Sequence, residues 1–308
     1  MRKVSERLNL TQPALSNMLK QLEDAFGVRL VKRSHSGVAL NKHGRVAQEV
    51  LHVHLASLDQ LSHSLRNQEV PPLRIGVNLV VGIDLLPLIC VELNLYEPEN
   101  PMRLIASEGA EPAMIDALLA GKIDCYIGRL DWGTVPVDVR ARLRSEPIVK
   151  VGGAVICSVG HPLLEQSRVE PHQLIQHPWA LPDPASFLNA TLETAFRLNG
   201  LLPPKPVVTS NYHIAFNQFR HAKLLSVVPE PSIDMPERLG FIQHLKVEGF
   251  ELGYDNMEFI VLEDQQGLPA IETMRAAAKA AVRQLQGVKG YQQPNSAPNI
   301  SPAASPTS

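Results

Sequence analysis

The chain has 308 residues, 44% hydrophobic and 19% charged, with a formal net charge of −2. That length carries two or three domains, and that balance describes folded cores rather than a disordered or uniformly basic chain. Residues 1–70 hold ten Lys/Arg against six Asp/Glu, and the rest 19 against 25, so a basic head precedes an acidic body. Such a split suits a nucleic-acid-binding segment joined to a body that does something else.

Cys90, Cys125 and Cys157 are far apart and form no C-x-x-C spacing, so neither zinc nor a disulfide framework is expected. Cys125 and Cys157 lie in apolar runs and read as reduced core residues. No run approaches eighteen uninterrupted apolar residues, and the first residues lack the apolar segment of a signal peptide. The expected location is the cytoplasm.

Residues 3–8 read as the last turns of a helix, and Asn9 turns the chain into a second one. Thr11 is a good N-cap, Pro13 fits a first turn, and Gly27 suits the residue just past the end. Leu15, Leu19, Leu22 and Phe26 form one apolar stripe at helical period. The other face carries Gln12, Ser16, Asn17 and Lys20, which suit base edges and phosphates, although a plain surface helix would show the same face. Val28 and Leu30, then Val38 and Leu40, alternate around Ser36-Gly37 as a hairpin with Lys32 and Arg33 at its tip. Two helices and a hairpin predict a winged helix-turn-helix.

The run T-Q-P-A-L-S-x-x-L-x-x-L-E-x-x-F-G-x-x-L-x-x-R from Thr11, followed by L-N-x-x-G at Leu40–Gly44, resembles the DNA-binding domain of LysR-type transcriptional regulators. The resemblance implies that Thr11, Gln12, Pro13, Ser16, Asn17 and Lys20 meet double-stranded DNA from the recognition helix, and Lys32 and Arg33 from the wing. It further implies self-association to a homodimer or homotetramer, and contact with RNA polymerase. Three departures stand out. Ser36 replaces a second wing arginine, Val31 replaces a Phe, and the family pattern has a further helix ahead of Lys3. The expectation is a start assigned at an internal methionine, because Met1 stands where the family often has an apolar mid-helix residue. Without that helix the stripe from Leu15 to Phe26 would lack cover worth several kcal/mol, at about 25 cal/mol per Å² of apolar surface.

Residues 43–68 form a long helical pattern. Ala47, Leu51, His54, Leu58, Leu61 and Leu65 alternate steps of four and three, a coiled-coil seam that would pair two chains. His52, His54 and His63 read as solvated helix residues rather than a metal or pH-sensing site. Glu69-Val70-Pro71-Pro72 marks a boundary.

From Leu73 strands alternate with helices: strands at 73–78, 103–107 and 125–129, helices at 83–97 and 112–120. This argues an α/β domain with a largely parallel sheet. The run 147–159, with Gly152-Gly153 inside it, reads as a strand crossing into a second lobe. That lobe takes in W-A-L-P at 179–182, a helix at 186–198, a strand at 205–209, a helix at 212–221 and a strand at 224–228. The chain returns near 241–247, adds a strand at 258–262 and closes with a helix at 269–286. Residues 289–308, with Pro294, Pro298, Pro302 and Pro306, read as a disordered tail.

The predicted fold class is therefore α/β: a winged helix-turn-helix head, a long linker helix, and a two-lobed periplasmic-binding-protein-like (type 2) effector domain. The domains are 1–43 for the head, 44–70 for the linker, 71–153 with 241–288 for lobe 1, and 154–240 for lobe 2. Ligands of open α/β sheets bind beyond the carboxyl ends of strands. Those ends are Asn78, Leu79, Val80, Ser107, Glu108, Gly128 and Arg129 in lobe 1, and Leu181, Pro182, Ser210 and Asn211 in lobe 2. Hydroxyls, amides and one Arg favour a small anionic effector, a sugar or a carboxylic acid, with Arg129 open to a structural ion-pair role instead.

No G-x-S-x-G, P-loop or G-x-G-x-x-G follows a strand, and the eleven histidines are scattered. No enzyme, metal or cofactor is expected. Two other readings stand beside the regulator: an effector-binding protein whose incomplete head no longer grips DNA, and a solute-binding protein.

Overall fold

The computed structural model describes residues 4–5, 9–34, 37–48, 51, 55, 58, 70–182, 184, 186–210 and 217–294. The chain divides into two compact units, a head within residues 1–71 and a body that takes in nearly all of 72–308.

In the head, Asn9 turns the chain with φ 53, a left-handed conformation that a short polar side chain tolerates. Helix α1 (Gln12–Phe26) then starts at Thr11, whose hydroxyl accepts the Ala14 N–H. It stops at Gly27, φ 67, whose N–H returns to the Asp24 carbonyl while Val28 N–H returns to Glu23. The hairpin is β1 (Val31–Ser34) with β2 (Gly37–Leu40), in register Val31↔Leu40 and Lys32↔Ala39. It is shorter than the sequence pattern suggests. Val28 and Leu30 stay outside it because the Glu23 carboxylate captures the N–H groups of Leu30 (2.7 Å) and Val31 (3.2 Å), which fixes where pairing begins. Lys32 and Arg33 accordingly sit within β1 and not at the tip.

Residues 42–48, 51, 55 and 58 are helical. Leu55 and Leu58 are exposed and Leu51 is half-buried. His54, Leu61 and Leu65 of the expected seam lie outside the described residues.

The body is built on strands β3 (Leu73–Val77), β4 (Leu104–Glu108), β5 (Cys125–Gly128), β6 (Leu143–Ser158), β7 (Ala180–Leu181), β8 (Val208–Thr209), β9 (Leu225–Pro229), β10 (Ile242–His244), β11 (Tyr254–Leu262) and β12 (Tyr291–Gln292). Its helices include α2 (Leu86–Glu92), α3 (Glu111–Leu119), α4 (Phe187–Leu198) and α5 (Pro269–Gln284). A π-helical turn, Val81–Leu85, leads into α2. That helix stops short of the expected Glu97 because Asn94 takes φ 53 and Leu95 N–H returns to the Cys90 carbonyl.

The lobe 1 sheet is mixed, not largely parallel. β3 runs parallel to β4 and β5, but β11 is antiparallel to both β5 and β6. The reason is topological: β6 leaves lobe 1 and β11 returns to it, so the two must run in opposite directions. β6 spans both lobes, pairing β11 through Gly152 and β9 from Gly153 onward. At the changeover a side chain on Gly152 would press on the Tyr254 ring, and one on Gly153 would crowd Leu188 and Leu252, so the two glycines let the crossing pack closely.

Lobe 1 closes a core in which Ile75, Cys125, Ile127 and Phe259 meet Ile89 of α2 and Met274 and Ala278 of α5. Lobe 2 closes another around Trp179, Leu188, Phe196, Leu225 and Val227. Leu245, Phe250 and Leu252 belong to that second core, so the chain returns to lobe 1 only at β11 and not at residue 241. Burial raises the pKa of the Cys125 thiol and pushes that of Cys157 up to about 12, which keeps both protonated and unreactive. Residues 291–292 are not free tail: they form β12 on Lys150 and Val151.

Candidate nucleic-acid interface and effector cleft

Between α1 and the hairpin lies an open groove of about 1150 Å³. Ser16, Asn17 and Lys20 line it from the helix, Arg29 from the connecting turn and Lys32 from β1, together with Glu23 and Asp24 of α1. Three cations and two short polar groups thus share one concave surface with two carboxylates. Thr11, Gln12 and Pro13 lie outside the groove, exposed at the N-terminus of α1. The side chain of Arg33 lies outside the described residues.

The motif residues beyond the hairpin hold this surface together. Asn41 donates from Nδ2 to the Arg29 carbonyl (2.6 Å) and from its backbone to the Leu30 carbonyl, while its Oδ1 accepts the Gly44 N–H (2.9 Å). Gly44 is packed so tightly that a Cβ would run into the Leu30 carbonyl oxygen. L-N-x-x-G is therefore a clasp: an amide that stitches both ends of the wing, and a glycine that lets the next helix lie on its backbone. No residue of α1 is buried, and Leu22 (38%) and Phe26 (48%) of the apolar stripe are exposed.

In the body, parallel pairing gathers the ends of β3, β4 and β5. Asn78 is committed locally: Oδ1 accepts the Val81 N–H (3.0 Å) and Nδ2 lies against the Met257 sulfur. Leu79 is half-buried and Val80 buried, whereas Ser107 and Glu108 are exposed. Gly128 is buried and needs to be glycine, because the Tyr126 ring lies across it.

Arg129 takes the ion-pair role. Its guanidinium donates to Asp255 (2.6 Å), Asp131 (3.2 Å) and Glu111 (3.3 Å). Burial works against its charge, but the three carboxylates outweigh it and raise its pKa. Glu111 is split between Arg129 and the Asp131 N–H, and burial still raises its pKa. Close by, Glu258 is buried, and burial together with the charges of Asp255 and Glu111 raises its pKa too. The sequence reading missed these acids. Asp255 lies 126 positions from Arg129, and only the antiparallel return of β11 brings it there.

In lobe 2, β7 and β8 pair in parallel and bring Leu181 to Thr209, with Ser210 N–H donating to the Leu181 carbonyl (3.1 Å). Pro182 is buried and its carbonyl accepts from Asn189 of α4, which Ser186 caps. Asn211 lies outside the described residues.

Residues 1–45 match the family model for the bacterial regulatory helix-turn-helix protein, lysR family, and residues 66–283 match that for the LysR substrate binding domain. The chain belongs to the LysR family. It is a LysR-type transcriptional regulator with a helix-turn-helix head and an effector-binding domain. Among curated relatives of the LysR chain is the HTH-type transcriptional regulator PcaQ of Agrobacterium fabrum, 23% identical over 284 residues, covering 91% of this chain and 89% of PcaQ. Among solved structures, full-length OxyR from Pseudomonas aeruginosa shares the fold with TM-score 0.57 at 21% identity, covering 90% of this chain and 91% of that one. The effector binding domain of QuiR in complex with shikimate has TM-score 0.57 at 14% identity, covering 69% of this chain and 97% of that one. Among the described residues no helix is long and apolar enough to cross a membrane.

Proposed function

We propose that this LysR-type chain reads operator DNA with α1 and its wing, and that a polar effector held at the strand ends of the body alters that binding. The groove that joins Ser16, Asn17 and Lys20 to Lys32 carries the reading. Amides and hydroxyls there, with the exposed Gln12, suit base edges, and the cations suit phosphates. The effector acts only through its different affinity for the arrangements the chain can adopt. Its chemistry follows from Arg129. A guanidinium shared by three carboxylates leaves that corner with excess negative charge, which favours a neutral, hydroxyl-rich molecule of the sugar type over a carboxylic acid.

Self-association is supported by β4, an edge strand with Ile105 half exposed, and by Val91 of α2, equally open. RNA polymerase is the further partner of such a regulator, and the cytoplasm is where its DNA lies. The second reading, an effector-binding protein that does not hold DNA, is favoured by the exposure of Leu22 and Phe26.

A gel-shift with the DNA upstream of the chain's own gene separates the two. The full chain shifts it at low salt, Gln12→Ala reduces discrimination between sites, and Lys32→Ala weakens all sites alike and lowers the salt slope by about 1. No shift at low salt overturns the DNA reading and leaves the effector-binding one.

A further inference from the structure

The segment that follows the last helix touches both lobes and the strand between them. After α5, Gly290 takes φ 87 and its carbonyl accepts the N–H of Gly152 (2.9 Å). β12 then pairs Tyr291 with Val151 and Gln292 with Lys150. Along this edge of β6, β12 meets β9 end to end, because β9 pairs from Gly153 onward and the N–H groups of Gly152 and Ser158 point the same way, to Gly290 and Leu224. The junction falls on the Gly152-Gly153 step where β6 passes from one lobe to the other.

The side chains divide their attachments between the lobes. Toward lobe 1, the Tyr291 hydroxyl donates to Asp84 (2.9 Å) in the π-helical turn that follows β3. Toward lobe 2, Lys289 Nζ lies 2.9 Å from Glu230 and 3.0 Å from His244 Nδ1. Burial and the charge of Asp234 in lobe 2 both raise the pKa of Asp84, so carboxylates of the two lobes approach each other here, while Lys289 pairs with Glu230.

We propose that residues 288–292 are a strap that holds the angle between the two lobes, so that any change of that angle must re-seat it. Side-chain attachments to both lobes and a backbone ladder that reaches up to the crossing make a clamp, not a cap on one lobe. The strap rests on the geometry of the body alone, so its failure would leave the DNA reading untouched.

The test uses the full chain in a Cys90→Ser background, with spin labels on Tyr96→Cys in lobe 1 and Leu202→Cys in lobe 2, both highly exposed positions. The inter-lobe distance distribution is compared between the intact strap, Lys289→Ala, Tyr291→Phe and the double variant. Hydrogen exchange at the Gly152 amide is followed in parallel. The expected result is a broadened or shifted distribution, largest in the double variant, with roughly tenfold faster exchange at Gly152. Lys289 is mostly exposed and Tyr291→Phe removes one oxygen, so both single variants retain the folded cores. Distributions that superimpose on the parent overturn the strap, even if Gly152 exchanges faster, because the segment would then be a local edge strand only.

Discussion

Gly44→Ala is the sharpest probe of how the head is assembled. The added Cβ would overlap the Leu30 backbone oxygen and come within 3.0 Å of Leu40 Cδ2, and neither a backbone carbonyl nor the helix start can swing aside as a flexible side-chain tip would. The helix beginning at residue 42 must lift from the wing, and the hydrogen bonds joining Asn41 to Arg29, Leu30 and Gly44 weaken with it. Overpacking of this kind costs about 1–3 kcal/mol, and each of the strained hydrogen bonds about 1 kcal/mol. A total of about 4–6 kcal/mol rivals the whole stability of a small domain. The body shares none of these contacts. Thermal unfolding followed by hydrogen exchange should therefore show the head of Gly44→Ala opening well below the parent's, with exchange in β3, β5 and β11 unchanged. DNA retention should fall in step. A head as stable as the parent's, with full DNA affinity, would refute the clasp.

Two further outcomes concern the body. Arg129→Met leaves Glu111, Asp131 and Asp255 facing one another without their cation, at a cost of about 2 kcal/mol at neutral pH. Burial already raises the pKa of Glu111, and losing the cation raises it further, so the penalty is present above that folded value and is gone once pH falls below the unfolded carboxyl range; a deficit undiminished at pH 4 in urea titrations would contradict this. His161 is fully buried, with Nδ1 accepting the Leu163 N–H (3.2 Å), and burial lowers its pKa to about 4. Its neutral form stabilises the fold fully above the unfolded pKa near 6.5, and that contribution, about 3 kcal/mol, is lost as pH falls toward 4. Asn keeps the local acceptor without the titration, so His161→Asn should flatten stability against pH between 6.5 and 4. Parallel curves for parent and variant would rule out His161 as the source of that slope.

Local chemistry was legible wherever one stretch of chain carries its own constraints. Thr11, Pro13 and Gly27 bound α1 because capping and left-handed turns depend on near neighbours. The strand–helix alternation after Leu73 is equally local, since burial periodicity is written into each segment. What misled the reading were influences from outside the segment. Glu23 reaches seven residues forward and shortens the hairpin, Asn94 adopts a left-handed turn inside an apolar run, and residues 291–292 find a partner strand that a polar, proline-rich tail gives no sign of.

The sequence by itself determined the LysR-type head, the two α/β lobes and the residues at the strand ends, because these follow from motif spacing and period. The tertiary structure alone decided what those residues are free to do. With only its strand in view, Arg129 is open both to an anionic ligand and to a structural ion pair. It becomes the centre of an ion-pair cluster once β11 returns antiparallel with Asp255 and the start of α3 delivers Glu111. Coulomb interactions act over a few ångströms of space whatever the separation along the chain, and so the charge of a site is a property of the fold.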